Sequence, residues 1–277
     1  MTRLETTRQD AAVPRAGESG KQPDVWRFDV DSLAFRVLAS GREHIANAPA
    51  VVLVHGIGVS HRYLSRLHDV LARERAVFSI DLPGFAGLPK PSKDLDIPSM
   101  AQGLVRVIES LDIPPVVLVG HSMGTQWVVE ASVRRPDMVT DVVIMGPVAD
   151  SAHRSMLAQS AALAVDTLGE PPSVNSIVLT DYLRCGVPWY LTQLRHMLGY
   201  RLEERVPDMT RPLLVVRGSR DPIAGLEWCR RLRDGARTGR LVQIPGAFHV
   251  AQHAAPRAVA SAILAHVSPS GRLEWTA

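Results

Sequence analysis

Short, mostly apolar runs alternate with longer amphipathic stretches through most of the chain, and this alternation predicts its secondary structure. The apolar runs are residues 50–54, 77–80, 116–119, 142–145, 212–216 and 241–244. Such runs are typical of strands covered on both faces of a parallel sheet, with the stretches between them forming helical crossovers. Upstream, apolar and polar positions alternate over residues 25–39 around Asp31 and Ser32, which predicts two antiparallel strands joined by a turn.

This pattern predicts an α/β fold: a mostly parallel, twisted sheet of about eight strands flanked by helices. Helices are predicted at residues 63–74, 99–111, 125–131, 226–233 and 256–266. For the second of these, Ser99 is the expected N-cap, because Gln102 follows at the spacing of a capping box.

Regular alternation stops between residues 147 and 207. The helix-like pieces of this stretch are residues 155–168, 174–183 and 190–202. Because it contains no convincing buried strand, we predict a helical insertion after the sixth strand. Residues 1–24 carry balanced charges and few apolar side chains, which predicts a flexible tail. The expected division is a tail at 1–24, a core at 25–146 and 208–277, and an insertion at 147–207.

Composition narrows the function classes. The 277 residues include 31 Lys and Arg against 28 Asp and Glu, a net charge of +3 without a clustered basic patch, so no nucleic-acid partner is expected. No signal-peptide core and no apolar run of about 18 residues is present, so we expect a soluble, cytoplasmic protein without a membrane partner. The histidines lack metal-like spacing and the two cysteines have no second pair with which to form a metal site, so no metal is expected. Free thiols are favoured over a disulfide, and no cofactor is expected. A monomer or homodimer is expected.

The strongest chemical signal follows the third of these apolar runs. Residues 116–124 read Val-Val-Leu-Val-Gly-His-Ser-Met-Gly, and a helix-like stretch comes directly afterwards. A strand that enters a Gly-x-Ser-x-Gly turn and leaves as a helix is the setting of a nucleophile elbow, which lifts the serine hydroxyl clear of the sheet. Ser122 is therefore the candidate nucleophile, although the same pentapeptide also occurs in ordinary turns.

A serine hydroxyl needs a base, and the expected chain order is serine, carboxylate, histidine. Asp221 follows the strand at 212–216 and His249 follows the strand at 241–244, so both are predicted at the carboxyl edge of the sheet with Ser122. Asp81 is a weaker candidate for the acid because it precedes the elbow. His253 is a weaker candidate for the base.

Together these motifs resemble the α/β-hydrolase superfamily from about residue 25 onward. The matching pieces, in chain order, are His55-Gly56-Ile57-Gly58, Asp81-Leu82-Pro83-Gly84, the elbow, Gly218-Ser219-Arg220-Asp221 and His249. The resemblance implies that the insertion is a cap over the active site. It also implies acyl transfer: His249 deprotonates Ser122, Asp221 orients the imidazole, and the backbone N–H groups of Met123 and Ile57 form the oxyanion hole.

Four further residues are assigned as candidate substrate contacts: His55, Gly56, His121 and Trp189. For the two histidines, orientation of neighbouring loops is the alternative role. For Trp189, the alternative is packing of the cap on the sheet.

Hydrolysis of a carboxylic ester or a related small-molecule acyl substrate is the expected reaction. The serine argues against the aspartate-dependent epoxide hydrolases and haloalkane dehalogenases. Thioester and lactone hydrolysis stay open, as does carbon–carbon cleavage of the kind performed by meta-cleavage-product hydrolases. For that chemistry the cap offers three arginines, although a solvated helix face accounts for them better: Arg184, Arg195 and Arg201. A slow-turnover ligand receptor on a hydrolase scaffold is the alternative from another class.

Overall fold

A computed structural model describes residues 22–150, 169 and 172–268, and eight of its strands form one sheet. The strands are β1 Asp24–Val30, β2 Leu33–Ser40, β3 Val51–Val54, β4 Val77–Asp81, β5 Val116–His121, β6 Val139–Met145, β7 Leu213–Gly218 and β8 Gly239–Ile244. The predicted tail lies outside the described residues, except for its last three positions.

The strand order is β1-β2-β4-β3-β5-β6-β7-β8. β1 pairs antiparallel with β2 and β2 with β4, whereas every pair from β4 through β8 is parallel. The prediction of a mostly parallel sheet of about eight strands is confirmed. The predicted turn at Asp31 and Ser32 is also present, and both residues adopt positive φ (50° and 66°), as the favoured two-residue hairpin turn requires.

The sheet has an apolar layer on each face, as the apolar runs predicted. In β3, Val52 and Val54 belong to one buried cluster while Val51 and Leu53 belong to the other. This split follows from the two-residue period of a strand, and it explains why the run shows no polar alternation.

The helices of the core cover both faces. They are α1 Ser65–Leu71, α2 Ile97–Ser110, α3 Gly124–Arg134, α7 Leu226–Gly235, α8 Ala251–Ala254 and α9 Pro256–Val267. The predicted start of α2 was wrong: Asp96, not Ser99, is the N-cap, and its side chain accepts a hydrogen bond from the Ser99 N–H at 2.8 Å. The helix starts earlier because Pro98 fits the first turn, where no N–H donor is needed.

Among the described residues between β6 and β7, in the predicted insertion, lie the α-helices α4 Pro172–Cys185, α5 Val187–Gly199 and α6 Leu202–Arg205. We call α4 and α5 the cap helices. The predicted piece at 155–168 lies outside the described residues.

A buried carboxylate connects cap helix α4 to the loop after β3. Asp181 accepts hydrogen bonds from Ser60 Oγ at 2.5 Å and from Arg62 Nη1 at 3.0 Å, and its side chain is fully buried. The adjacent Tyr182 ring packs over Gly58 of the same loop. The cap helices are therefore attached to the carboxyl edge of the sheet. Across the described residues, no helix is long and apolar enough to cross a membrane.

Candidate active site

Ser122 occupies the sharp turn between β5 and α3. Its φ is 56°, a left-handed conformation that is uncommon for residues other than glycine and is characteristic of a nucleophile elbow. The Ser122 N–H donates to the Met145 carbonyl at 2.9 Å, and the Thr125 hydroxyl donates to the Ser122 carbonyl at 2.6 Å. These bonds hold the strained turn between β6 and the first turn of α3.

Close backbone approach explains the two glycines of the motif. A Cβ on Gly124 would lie 2.6 Å from the carbonyl oxygens of both Val54 and His55, and a Cβ on Gly120 would collide with the backbone of Gly124. Side chains at either position would push α3 away from β5 and β3.

Asp221 and His249 are brought together from the loops after β7 and β8. His249 Nδ1 lies 2.9 Å from Asp221 Oδ2, and both side chains are buried. Asp221 Oδ1 accepts from the backbone N–H groups of Ile223 and Ala224 at 2.8 and 2.9 Å. The carboxylate is thus held at both oxygens.

Burial alone would raise the pKa of Asp221, but the His249 imidazole and the N–H groups of Ala224 and Ile223 outweigh it. The pKa of Asp221 is therefore lowered, and the group is ionised at neutral pH. An ionised carboxylate only accepts, so the His249 proton resides on Nδ1. Its Nε2 is left as the basic nitrogen.

Arg217 braces the loop that carries Asp221. Although it lies in β7 and is only 6% exposed, its guanidinium donates to the carbonyls of Ala224 (2.8 Å) and Asp221 (3.1 Å) and to the side chain of Gln243 (2.8 Å). Sequence reasoning missed this role. The feature of the sequence that could have indicated it is a charged residue inside an otherwise apolar strand.

Gly146, directly after β6, provides the space for the imidazole. Its φ is 55°, and a Cβ on it would lie 2.8 Å from His249 Cε1 and 2.9 Å from Nδ1. Nothing near Gly146 in the sequence indicates this contact, since Gly146-Pro147 has the composition of an ordinary turn after a strand.

The loop after β3 lies against the nucleophile. A Cβ on Gly56 would come within 2.8 Å of Ser122 Cβ and 3.3 Å of its Oγ, so only glycine lets the loop pass so close. Among the described residues, the backbone N–H groups of Ile57 and Met123 donate to no other protein group. Both are therefore available as hydrogen-bond donors beside Ser122.

His55 controls the direction of one of these donors. Its Nδ1 lies 2.7 Å from the Gly56 carbonyl, and its Nε2 accepts from the Leu82 N–H at 3.1 Å. Burial lowers the pKa of His55, which keeps the ring neutral with its proton on Nδ1. In a trans peptide the C=O and the following N–H point in opposite directions, so drawing the Gly56 carbonyl toward His55 turns the Ile57 N–H away from it.

The four candidate substrate contacts occupy different environments. Gly56 lies beside Ser122, whereas His55 is fully buried and both of its ring nitrogens are bound to the backbone. His121 is also buried, and its ring contacts Tyr63 Oη and the His249 carbonyl. Trp189, 6% exposed, packs over Gly84 and Phe85.

An aromatic cluster connects the last of these contacts to the site. The Phe85 ring lies 5.2 Å from His55, 6.0 Å from Trp127 and 6.1 Å from Trp189, measured between ring centroids. Trp189 thus packs cap helix α5 onto the loop after β4, and this loop in turn encloses His55.

The weaker candidates lie elsewhere. Asp81 binds His61 Nδ1 at 2.7 Å and Arg36 at 3.2 Å, and it is Asp221 that contacts His249. His253 Nε2 lies 3.4 Å from Ser173 Oγ of cap helix α4. The three cap arginines have strongly exposed side chains (55%, 70% and 62% for Arg184, Arg195 and Arg201), as expected for a solvated helix face.

Comparison with known proteins agrees with this architecture. Residues 51–262, more than half of the chain, match the model of the alpha/beta hydrolase family. Esterase YbfF of Escherichia coli is 26% identical over 256 residues, covering 83% of this chain and 97% of the esterase. The solved enol-lactonase of Burkholderia xenovorans superposes with a TM-score of 0.74 at 19% identity, covering 86% of this chain and 98% of the lactonase.

A shorter match is found in Mycobacterium tuberculosis. An uncharacterised protein of that organism is 31% identical over 112 residues, which is 40% of this chain and 31% of the mycobacterial protein. The match therefore spans less than a third of that relative. The family match, the strand order and the residues gathered around Ser122 agree, and the chain belongs to the alpha/beta hydrolase family of enzymes.

Proposed function

We propose that the protein is a serine hydrolase that cleaves a carboxylic ester, or a related acyl substrate, through an acyl-enzyme intermediate. One observation carries the proposal: the Asp221–His249 pair lies at the sheet edge where Ser122 sits in a left-handed turn. Their proximity is supported by His121, the residue before Ser122, whose ring lies 4.7 Å from that of His249 between centroids.

The chemistry follows from the proton positions. His249 Nε2 accepts the Ser122 proton as Oγ attacks the acyl carbon, and ionised Asp221 stabilises the imidazolium. The N–H groups of Ile57 and Met123 donate to the oxyanion that develops at the carbonyl. Protonated His249 then donates to the leaving group, and water releases the acyl group by the reverse steps.

The test is turnover of p-nitrophenyl esters of increasing chain length, with thioesters and lactones as a second panel. Ser122→Ala is expected to lower kcat by at least about 10⁴-fold. Ser132→Ala is the matched control, since it removes a fully buried hydroxyl from the helix that follows the elbow, and it should leave kcat unchanged.

Detection of the intermediate completes the test. Rapid acid quenching during turnover should leave the acyl group on the peptide that contains Ser122, as seen by mass spectrometry. Wild-type turnover by Ser122→Ala would overturn the proposal. Cleavage of a vinylogous diketone without any acyl hydrolysis would favour the carbon–carbon hydrolases, and ligand binding without turnover would favour a receptor.

A further inference from the structure

A continuous chain of buried hydrogen bonds joins the loop after β3 to the loop that carries His249. The Gly56 N–H donates to Tyr63 Oη at 2.8 Å, and Tyr63 Oη lies 2.7 Å from His121 Nδ1. His121 Nε2 then lies 3.0 Å from the His249 carbonyl oxygen. Tyr63 and His121 are 2% and 1% exposed, so water does not compete for these bonds.

The two ends of the chain fix the direction of every bond. A backbone N–H can only donate, so Tyr63 Oη accepts from the Gly56 N–H and donates its own proton to His121 Nδ1. A carbonyl can only accept, so His121 carries its proton on Nε2 and donates it to His249. Burial, together with the nearby His249, lowers the pKa of His121 to about 3, so the ring is neutral at physiological pH.

We propose that Tyr63 is a positioning residue. Through His121, it fixes the loop that carries the Ile57 N–H relative to the loop that carries His249, on either side of Ser122. The proposal rests on the proposed function and deepens it, because it says how the donor at Ile57 and the base at His249 hold a common position. Neither Tyr63 nor His121 touches the substrate or the reacting atoms in this role.

Two features make Tyr63 the centre of this arrangement. It holds the N–H of Gly56 while His55 holds the carbonyl of the same residue, so both peptide groups that flank Gly56 are fixed. It also donates to the buried Nδ1 of His121, whose proton is held on Nε2 by the His249 carbonyl. Without the Tyr63 hydroxyl, the Gly56 N–H loses its acceptor and the buried Nδ1 of His121 loses its donor, so the link between the two loops is broken.

The test is Tyr63→Phe, which removes only the hydroxyl. We expect kcat to fall about 10- to 100-fold with KM changed less than about twofold, because misplacement of about 1 Å costs up to about 10²-fold in rate. Tyr200→Phe is the matched control: it removes a phenol that donates at 2.9 Å to Glu130, in the later part of α3, and should leave kcat at the wild-type value.

A measurement that responds to the oxyanion donors distinguishes a misplaced Ile57 N–H from a general loss of structure. Matched ester and thionoester substrates differ in the atom that receives the oxyanion donors, so a correctly aimed Ile57 N–H favours the ester. We expect Tyr63→Phe to reduce the ester-to-thionoester rate ratio and Tyr200→Phe to preserve it. His121→Gln keeps one acceptor and one donor and should retain more activity than His121→Met.

A substrate-free measurement keeps the proposal testable by itself. Imidazole ¹⁵N resonances should show His121 protonated on Nε2 in the wild type, and the Nδ1 resonance should shift in Tyr63→Phe because its hydrogen bond is lost. Protonation on Nδ1 in the wild type, or an unchanged Nδ1 resonance together with unchanged kcat and rate ratio in Tyr63→Phe, would overturn the proposal. Failure of the proposed function appears differently, as turnover that does not depend on Ser122.

Discussion

Gly146 and His249 are in such close contact that a methyl group on the Gly146 Cα would lie 2.8 Å from the imidazole Cε1. The residue after β6 therefore defines one wall of the space that the His249 imidazole occupies. Backbone conformation adds a second constraint, since φ at Gly146 is 55°. Both constraints can be tested with Gly146→Ala, which adds a single methyl group.

For Gly146→Ala we expect kcat to fall about 100-fold, because the methyl group must displace the imidazole from its partner Asp221. The variant should also be less stable by about 1 to 2 kcal/mol from the left-handed backbone alone. Gly87→Ala isolates that second effect, since Gly87 has φ 75° and nothing within 4 Å of its Cβ position. Equal kcat values in the two variants would contradict the assignment.

Arg217→Met should weaken both the fold and the reaction. The change leaves the carbonyls of Asp221 and Ala224 without their buried donor, which is expected to lower the free energy of unfolding by about 3 kcal/mol. Because the freed loop carries Asp221, the proposed partner of the base His249, kcat should fall at least about tenfold. Urea denaturation and steady-state kinetics measure the two effects.

The control for this change is Arg211→Met at the entrance to β7. Arg211 also donates to a backbone carbonyl, that of Pro136 at 2.8 Å, but at the opposite end of the strand. It should cost about 1 kcal/mol or less and leave kcat unaltered. An Arg217 variant with wild-type kcat would show that the loop does not need this brace.

Asp181 and Asp94 both connect the cap helices to the core. Because one carboxylate is buried and the other exposed, we expect them to contribute differently to the free energy of unfolding. Asp181→Asn should lower the free energy of unfolding by about 2 kcal/mol, since the buried carboxylate binds Ser60 and Arg62. Asp94→Asn removes an exposed carboxylate bound to Arg195 and His196 of α5, and should cost less than about 1 kcal/mol. Denaturation midpoints at matched pH would decide; equal losses would contradict the distinction.

A fall in pH should destabilise the protein even at pH values that are too high to protonate most of its carboxylates. Burial, with a contribution from nearby His61, lowers the pKa of His68 to about 4, whereas an unfolded histidine titrates near 6.5. A depressed histidine contributes stability that is fully present above about pH 6.5 and is lost as the pH falls toward 4. Between pH 7.5 and 5.0 this group alone should account for about 2 kcal/mol.

Measuring the free energy of unfolding across that range, for the wild type and for His68→Gln, checks the sign and the size. Glutamine can keep a hydrogen bond to Ser79, which His68 Nδ1 contacts at 2.8 Å, but it does not titrate. The variant should therefore show a flatter pH dependence than the wild type. Superimposable profiles would rule out His68 as a source of the acid sensitivity.

The parts of this fold that could be predicted are those encoded by neighbouring residues. β3 is recognisable as an uninterrupted apolar run, and the elbow motif is contained within five positions. Asp221 and His249 could be found because each directly follows a strand of a parallel sheet, whose carboxyl ends share one edge. Chain order is the basis of the roles that are proposed for them.

What could not be predicted depends on contacts between distant segments. Tyr63 lies 58 positions from His121, and Gly146 meets His249 only when β6 and the loop after β8 are both in place. Nothing near Tyr63 in the sequence marks it as other than a core aromatic. The start of α2 was missed for a local reason, because Asp96 and Ser99 are both acceptable caps and only the structure distinguishes them.

The position of the cap helices has an engineering consequence. Their segment leaves the sheet after Met145 and returns at Leu213, on two strands that are adjacent and parallel, and Met145 pairs with Val216. Ser122, Asp221 and His249 all come from outside that segment. We therefore expect that residues 147–207 can be exchanged between relatives as one piece, and a chimera of this kind would test whether they set the substrate range of the proposed reaction.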